Sequence, residues 1–352
     1  MPIEYNLKMN EYTYKLLELL NQNLNFIKRY YKLKSNLKIL AYHNVENFES
    51  KVFKNLDVTL SVDNFYKQMK FLKKNYQIKE LNDIHKNKDD FIKSNKSFIV
   101  ITFDDGYKSI YENVFPIIKE LKIPISIFII PYFIENEKIQ LLHLFNYLIN
   151  ERENKRLIQI FSNCLGRKND VTKIKNEISN NLTIKQYDFI KEQILIEYKL
   201  NEKSISKELN LYMNRSDILE MFSEGVEFGN HSFKHYTLSK LNIDEQEIEI
   251  KTGAEIIRKM IGLNELPFAI PYGRKKHFTE KTLELVKKTN HYCALTLGSD
   301  VALDKLSFEI SRLLNYPQLS IEANLWILPY LEDVKLFLKN IIKIANKNLI
   351  WK

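Results

Sequence analysis

Two adjacent acids, Asp104 and Asp105, stand directly behind a run of apolar residues in the segment SFIVITFDDG, residues 97–106. Phe98 to Ile101 reads as a strand covered on both faces, so the acids are expected at its carboxyl end. Parallel α/β folds gather their chemistry there. Two neighbouring carboxylates in a confined place repel each other, and a bound cation relieves the repulsion, as does a proton held by one of them. Further along, GVEFGNHSFKH places His231 and His235 behind another short strand, Val226 to Phe228. A spacing of four on a helical turn would point both imidazoles the same way. Two histidines and one aspartate make a facial site for a divalent metal. A third segment, PFAIPYG at 267–273, again ends a strand in a turn.

In this order, TFDDG, HSFKH and a strand ending in PYG, the chain resembles the polysaccharide deacetylases, the NodB-homology carbohydrate esterases. The resemblance covers roughly Leu37 to Tyr316 with a long insertion set aside. It implies a distorted, incomplete (β/α) barrel and metal-dependent hydrolysis of an N-acyl group, N-acetyl foremost, from an amino sugar. Residue by residue it implies that Asp105, His231 and His235 hold one divalent ion. Zinc is the first choice, and cobalt, nickel, iron or manganese also suit such a donor set. Asp104 matches the general base, and peptide N–H groups around Tyr272 match the position that stabilises the tetrahedral oxyanion. Thr102, Asn230 and Ser232 read as turn and supporting residues.

Two departures from the family pattern stand out. The arginine expected two residues before the proline of the third motif is replaced by Ala269. Arg312, in FEISRLL, resembles an arginine that some members carry later in the chain, and Arg274 competes with it for the role. The late Leu-x-His motif that supplies the general acid is also absent, because the matching strand reads Ala294-Leu295-Thr296-Leu297 with His291 at its other end. His43 lies at the carboxyl end of the first strand, Leu37 to Ala41, and is the candidate acid. Its alternative use is to orient the base or to hydrogen-bond the loop that follows.

The elements that must position these groups alternate as strand and helix, which argues an α/β fold with a parallel sheet or barrel. Helices are expected over Val62–Lys74 with Ser61 as cap, Ser109–Leu121, Ile243–Ile261 and Thr279–Thr289; strands are expected over Ile125–Ile130, Phe268–Ile270 and Tyr292–Thr296. At 352 residues, 45% hydrophobic and 28% charged, the chain has room for one barrel-sized domain with appendages. The expected division is a helical N-terminal extension at 1–36, the barrel at 37–134 and 217–320, a helical insertion at 135–216 and a C-terminal helical segment at 321–352. Because the insertion leaves one strand end and returns just before the histidine motif, it is expected beside the metal cleft, shaping the substrate site. A structural flap away from the chemistry is the alternative.

The net charge of +9 comes from scattered lysines without a nucleic-acid-binding motif, so no nucleic-acid partner is expected. The charge suits sugar nucleotides, lipid-linked glycans or weak contact with the inner membrane leaflet. The basic amphipathic tail, Lys335 to Lys352, reads either as a helix packed on the barrel or as that membrane contact. Cys164 and Cys293 are too few and too far apart to argue a disulfide framework. The amino terminus lacks a signal-peptide pattern and the longest apolar stretch, Ile123 to Ile134, is interrupted by prolines, so a cytoplasmic enzyme acting on a precursor in surface glycan biosynthesis is expected. Its alternatives are a sugar-precursor deformylase or other small deacylase, and a glycan-binding pseudoenzyme. Nothing in the sequence sets the oligomeric state.

Overall fold

The computed structural model describes residues 37–298, apart from 49, 88–90, 92, 93, 95, 152 and 153, together with residues 309–314. The helices expected over 1–36 and 321–352, including the basic tail, lie outside the described residues.

The buried apolar runs form parallel strands. They are β1 (Leu37–Tyr42), β5 (Phe98–Phe103), β6 (Ser126–Ile129), β7 (Glu227–Asn230), β8 (Leu266–Ala269), β9 (His291–Leu297) and β10 (Glu309–Leu314). Each pairs with its neighbour in the order β1-β5-β6-β7-β8-β9-β10, and β10 returns to β1, giving a nearly closed barrel. The short β4 (Gln77–Ile78) pairs with the start of β5, and β6 pairs only with its end, Thr102↔Ser126. The wall therefore splays at the foot of β5, which is the distortion of this barrel. A separate pair, β2 (Asn44–Val45) and β3 (Thr59–Leu60), lies in the loop after β1.

Alternation along the strands divides the core in two. Ile39, Val100, Phe128, Ala269, Leu295 and Ile310 share one buried cluster, together with Leu81 and Ile84 from α2 (Leu81–Lys86). Their neighbours Leu40, Ile99, Ile101, Ile127 and Phe268 join the larger cluster formed with the surrounding helices. These helices include α1 (Val62–Asn75), capped by the Ser61 hydroxyl, and α3 (Phe115–Leu121). One expectation needs correction here. The single helix expected over Ser109–Leu121 is a π-helical turn, Ile110–Val114, that passes into α3, with Phe115 N–H bonded to the Ile110 carbonyl. Pro116 has no N–H to offer the preceding turn, so the regular ladder is displaced around it.

Between β6 and β7 the chain builds α4 (Leu141–Glu151), α5 (Asn154–Leu165), α6 (Val171–Asn180), α7 (Ile184–Glu197), α8 (Glu202–Leu209) and α9 (Arg215–Ser223). Beyond β7 come α10 (Ile243–Ile261) and α11 (Glu280–Lys288), each opened by a capping box. No helix among the described residues is long and apolar enough to cross a membrane.

Candidate active site

Register fixes which side chains meet at the barrel mouth. Strands β1 and β5 run level from Leu37↔Phe98 to Tyr42↔Phe103, and the Asp104 N–H bonds the Tyr42 carbonyl at 3.0 Å. His43 and Asp104 therefore leave the barrel side by side. The chain then turns sharply through Asp105 (φ 69°) and Gly106 (φ 67°), both left-handed. An aspartate tolerates that region better than most residues, whereas a Cβ at Gly106 would lie 2.8 Å from the Ile129 side chain. The turn sends the two carboxylates in different directions.

Asp104 faces β10. Arg312 reaches it with two parallel hydrogen bonds, Nη1 to Oδ1 at 2.7 Å and Nη2 to Oδ2 at 2.8 Å. The guanidinium is buried over the Phe128 ring and also donates to Thr102 Oγ1, which itself bonds the Leu40 carbonyl. Burial alone would raise the Asp104 pKa, but Arg312 first, then His231 and His43, outweigh it and hold the carboxyl well below its usual range. Asp104 is thus an oriented, ionised carboxylate. Thr102 acts as a support for Arg312, and Arg274 sits elsewhere, in the turn after Gly273, with its N–H toward the Tyr272 carbonyl.

Asp105 faces the histidines. Its Oδ1 lies 3.6 Å from His231 Nε2 and 3.5 Å from His235 Nε2, and those two nitrogens are 3.2 Å apart. The histidines do not sit on a helical turn, contrary to the reading from their spacing. His231 follows β7 directly, and the loop to His235 is bent back by left-handed backbone at Ser232 (φ 62°) and His235 (φ 64°). The loop is tied down from inside. Ser232 Oγ accepts the His235 N–H, and Glu249 of α10 accepts the Lys234 N–H at 2.8 Å. Burial pushes the Glu249 pKa up to about 7. Tyr272 (φ 59°) is the fourth non-glycine residue at this mouth in left-handed backbone, a conformation held only where the surrounding structure demands it.

The donor set fits a divalent ion. Two ligand atoms each about 2.1 Å from a tetrahedral centre lie about 3.4 Å apart, close to the three separations observed. His231 Nδ1 meets the Ala269 carbonyl at 2.7 Å, so it carries the proton and leaves Nε2 as a lone pair. Burial holds the His235 pKa down to about 3, which keeps that ring neutral. Asp105 Oδ1 is buried and has no hydrogen-bond partner among the described residues. Such an orphaned carboxylate oxygen is costly unless a cation meets it.

The remaining candidates occupy different positions relative to this centre. His43 Nε2 lies 4.0 Å from Asp104 Oδ2, and its side chain is 18% exposed, against 10% or less for Asp104, Asp105, His231 and His235. The Tyr272 ring meets His235 edge-on with centroids 4.7 Å apart, so this residue borders the histidine pair. His291 is at the far end of β9, bonded to Asn230 and to the Val286 carbonyl. Four functional neighbours escaped sequence reasoning: Glu249, Tyr107, His143 and Tyr212. Tyr107 carried a signal, being two residues after Asp105, whereas a buried helical histidine such as His143 reads as core.

A family model described as polysaccharide deacetylase matches residues 92–294, more than half of the chain. Among curated proteins no match is found. Among solved structures, the Streptococcus pyogenes deacetylase PplD in complex with acetate is similar, with a TM-score of 0.55 at 16% identity, covering 82% of this chain and 96% of that one. IcaB from Ammonifex degensii gives 0.52 at 18% identity, covering 82% and 96%. The polysaccharide deacetylase BA0330 from Bacillus anthracis gives 0.52 at 18%, covering 82% and 67%. At such identities these structures speak for the shared barrel.

Proposed function

The chain belongs to the polysaccharide deacetylase family, and from that premise we propose that it is a metal-dependent hydrolase removing an N-acyl group, N-acetyl foremost, from an amino sugar of a surface glycan or its precursor. The observation that carries the reading is the division of labour within one DDG turn: one carboxylate is clamped by arginine, and the other offers an unpartnered oxygen to two histidine nitrogens.

Asp105, His231 and His235 would hold the ion. When bound, a divalent metal polarises the acyl carbonyl and lowers the pKa of water toward neutrality. Asp104 accepts the proton of the attacking water. Arg312 keeps that carboxylate ionised and fixes its plane, so the proton it takes is lightly held and readily passed on. Backbone N–H groups around Tyr272 face the oxyanion, and His43 delivers a proton to the departing amine. Its exposure supports that role, since the leaving sugar must reach the acid from solvent. A cytoplasmic setting is supported by the unpaired Cys164 and Cys293, and a precursor carried on nucleotide or lipid phosphate is favoured by the net charge of +9.

The test separates base from ligand. Acetate release from free, nucleotide-linked and oligomeric N-acetylated amino sugars is measured beside metal content. Asp104→Asn should lose at least about 100-fold in turnover while keeping its metal, and Asp105→Ala should lose both. Full turnover in Asp104→Asn would sink the mechanism.

A further inference from the structure

The Asp105 carboxylate has a second oxygen, and its surroundings are built as carefully as those of the first. Tyr107 donates its hydroxyl proton to Asp105 Oδ2 at 2.6 Å. The same hydroxyl lies 3.0 Å from His143 Nε2, and His143 Nδ1 lies 2.7 Å from the Tyr212 hydroxyl. All three side chains are buried, 3% exposed or less.

Counting protons fixes the direction of this chain. Tyr107 has one hydroxyl proton, and an ionised carboxylate can only accept, so that proton goes to Asp105. His143 Nε2 must then be the N–H that donates to the Tyr107 oxygen. Nδ1 is left as an acceptor for the Tyr212 hydroxyl. Burial holds the His143 pKa down to about 4, in keeping with a neutral ring. Every bond thus donates toward Asp105, and aligned bonds polarise one another in a buried setting.

The far end of the chain is anchored by the helical segment between β6 and β7. His143 belongs to α4, and Tyr212 follows α8. Lys108 N–H bonds the Leu211 carbonyl at 2.7 Å and Met213 N–H bonds the Gly106 carbonyl at 3.0 Å, so the strip 211–213 is zipped to the DDG turn itself. Asn136 clasps Tyr212 from the other side, accepting its N–H at 2.9 Å and donating to its carbonyl at 2.7 Å. Phe133 stacks on Tyr212 with centroids 5.1 Å apart, and Phe53 meets both Tyr107 and His143 edge-on.

We infer that His143 and Tyr212 are positioning residues for Asp105: acting through Tyr107, they hold one carboxylate oxygen so that only the other faces the two histidines. The helices between β6 and β7 therefore set the metal affinity of the barrel site. This rests on the metal-centre reading above.

The test is the zinc affinity of the purified full chain, measured by competition with a chromophoric chelator. Tyr107→Phe and His143→Leu should each weaken zinc binding about 10- to 100-fold, the usual cost of losing a partner that orients a ligand. His143→Gln, which retains an N–H toward Tyr107, should fall between parent and His143→Leu. The double variant Tyr107→Phe with His143→Leu should add little to either single change, because both act along one path. Cobalt-loaded Tyr107→Phe should show altered visible absorption, since the freed carboxylate changes its pose. Tyr107→Phe removes one hydroxyl and keeps the ring, so it carries the test if His143→Leu fails to fold. Parent-like zinc affinity in both single variants overturns the inference and leaves the metal reading standing. A parent chain that binds no zinc overturns the metal reading itself.

Discussion

At the scale of single residues, the site works by giving chemically identical groups different partners. Asp104 and Asp105 are neighbours in sequence, yet the left-handed turn at Asp105 sends one to Arg312 and the other to His231 and His235. The sequence made the carboxylates and histidines legible because their types are rare behind apolar strands. It left Arg312 and Arg274 undivided, since only the parallel register of β10 beside β9 and β1 carries the distant arginine to Asp104. The missing histidine of the family's acid motif makes His43 the group to test. On an amide, His43→Gln should lose about 100-fold or more in turnover, while on an ester analogue with a good leaving group the loss should be small. A departing amine needs a proton and a good leaving group does not. Equal losses on both would show that His43 positions Asp104 and that the acid lies elsewhere.

At the scale of elements, what mattered was how loops and helices brace the mouth, and here periodicity was a partial guide. The span of α10 agrees with its heptad-like apolar stripe, but the histidine pair owes its convergence to a bent loop that no helical spacing describes. The break before α3 was equally hidden, because the apolar spacing of Ser109–Leu121 runs on through Pro116 while its missing N–H displaces the ladder. Gly253 shows how tightly α10 approaches the site. A Cβ there would lie 2.5 Å from Asn230 Oδ1 and 3.1 Å from the Ser232 carbonyl carbon. Helix propensity favours Gly253→Ala by about 0.5–1 kcal/mol. Asn230 is held by the Ile250 carbonyl and His291 and cannot swing away cheaply, so overpacking of about 1–3 kcal/mol should win. The urea midpoint of Gly253→Ala should therefore fall, with metal affinity reduced because Ser232 lies between the ligands. A raised midpoint would show that α10 can retreat without cost.

At the scale of the whole molecule, buried imidazoles link stability to pH. Burial first of all pushes the pKa of His143 and His277 down to about 4 and of His235 and His291 down to about 3. Unfolded imidazoles titrate near about 6.5. Below that pH the unfolded chain binds protons that the folded protein refuses, so stability is lost as pH falls, by up to about 1.4 kcal/mol per histidine per unit. Glu249, Glu227 and Glu80, raised chiefly by burial, oppose this by keeping protons in the folded state. Four depressed histidines outweigh the opposing carboxylates, so stability should fall between pH 7.5 and 5.5. Urea unfolding of the metal-free protein in chelator should record it, and stability unchanged or higher at pH 5.5 would refute the count. None of this was readable from composition, because burial of a histidine is decided by packing between distant segments. If Asp105, His231 and His235 hold one divalent ion beside Asp104 for hydrolysis of an N-acyl amino sugar, as proposed, the most direct test is acetate release by chelator-treated protein as zinc is added back. Release from an N-acetylated amino sugar should be absent at the start, rise with zinc and level off at one equivalent per chain. Release that persists without metal, or that never appears on any such sugar at full occupancy, would contradict the account.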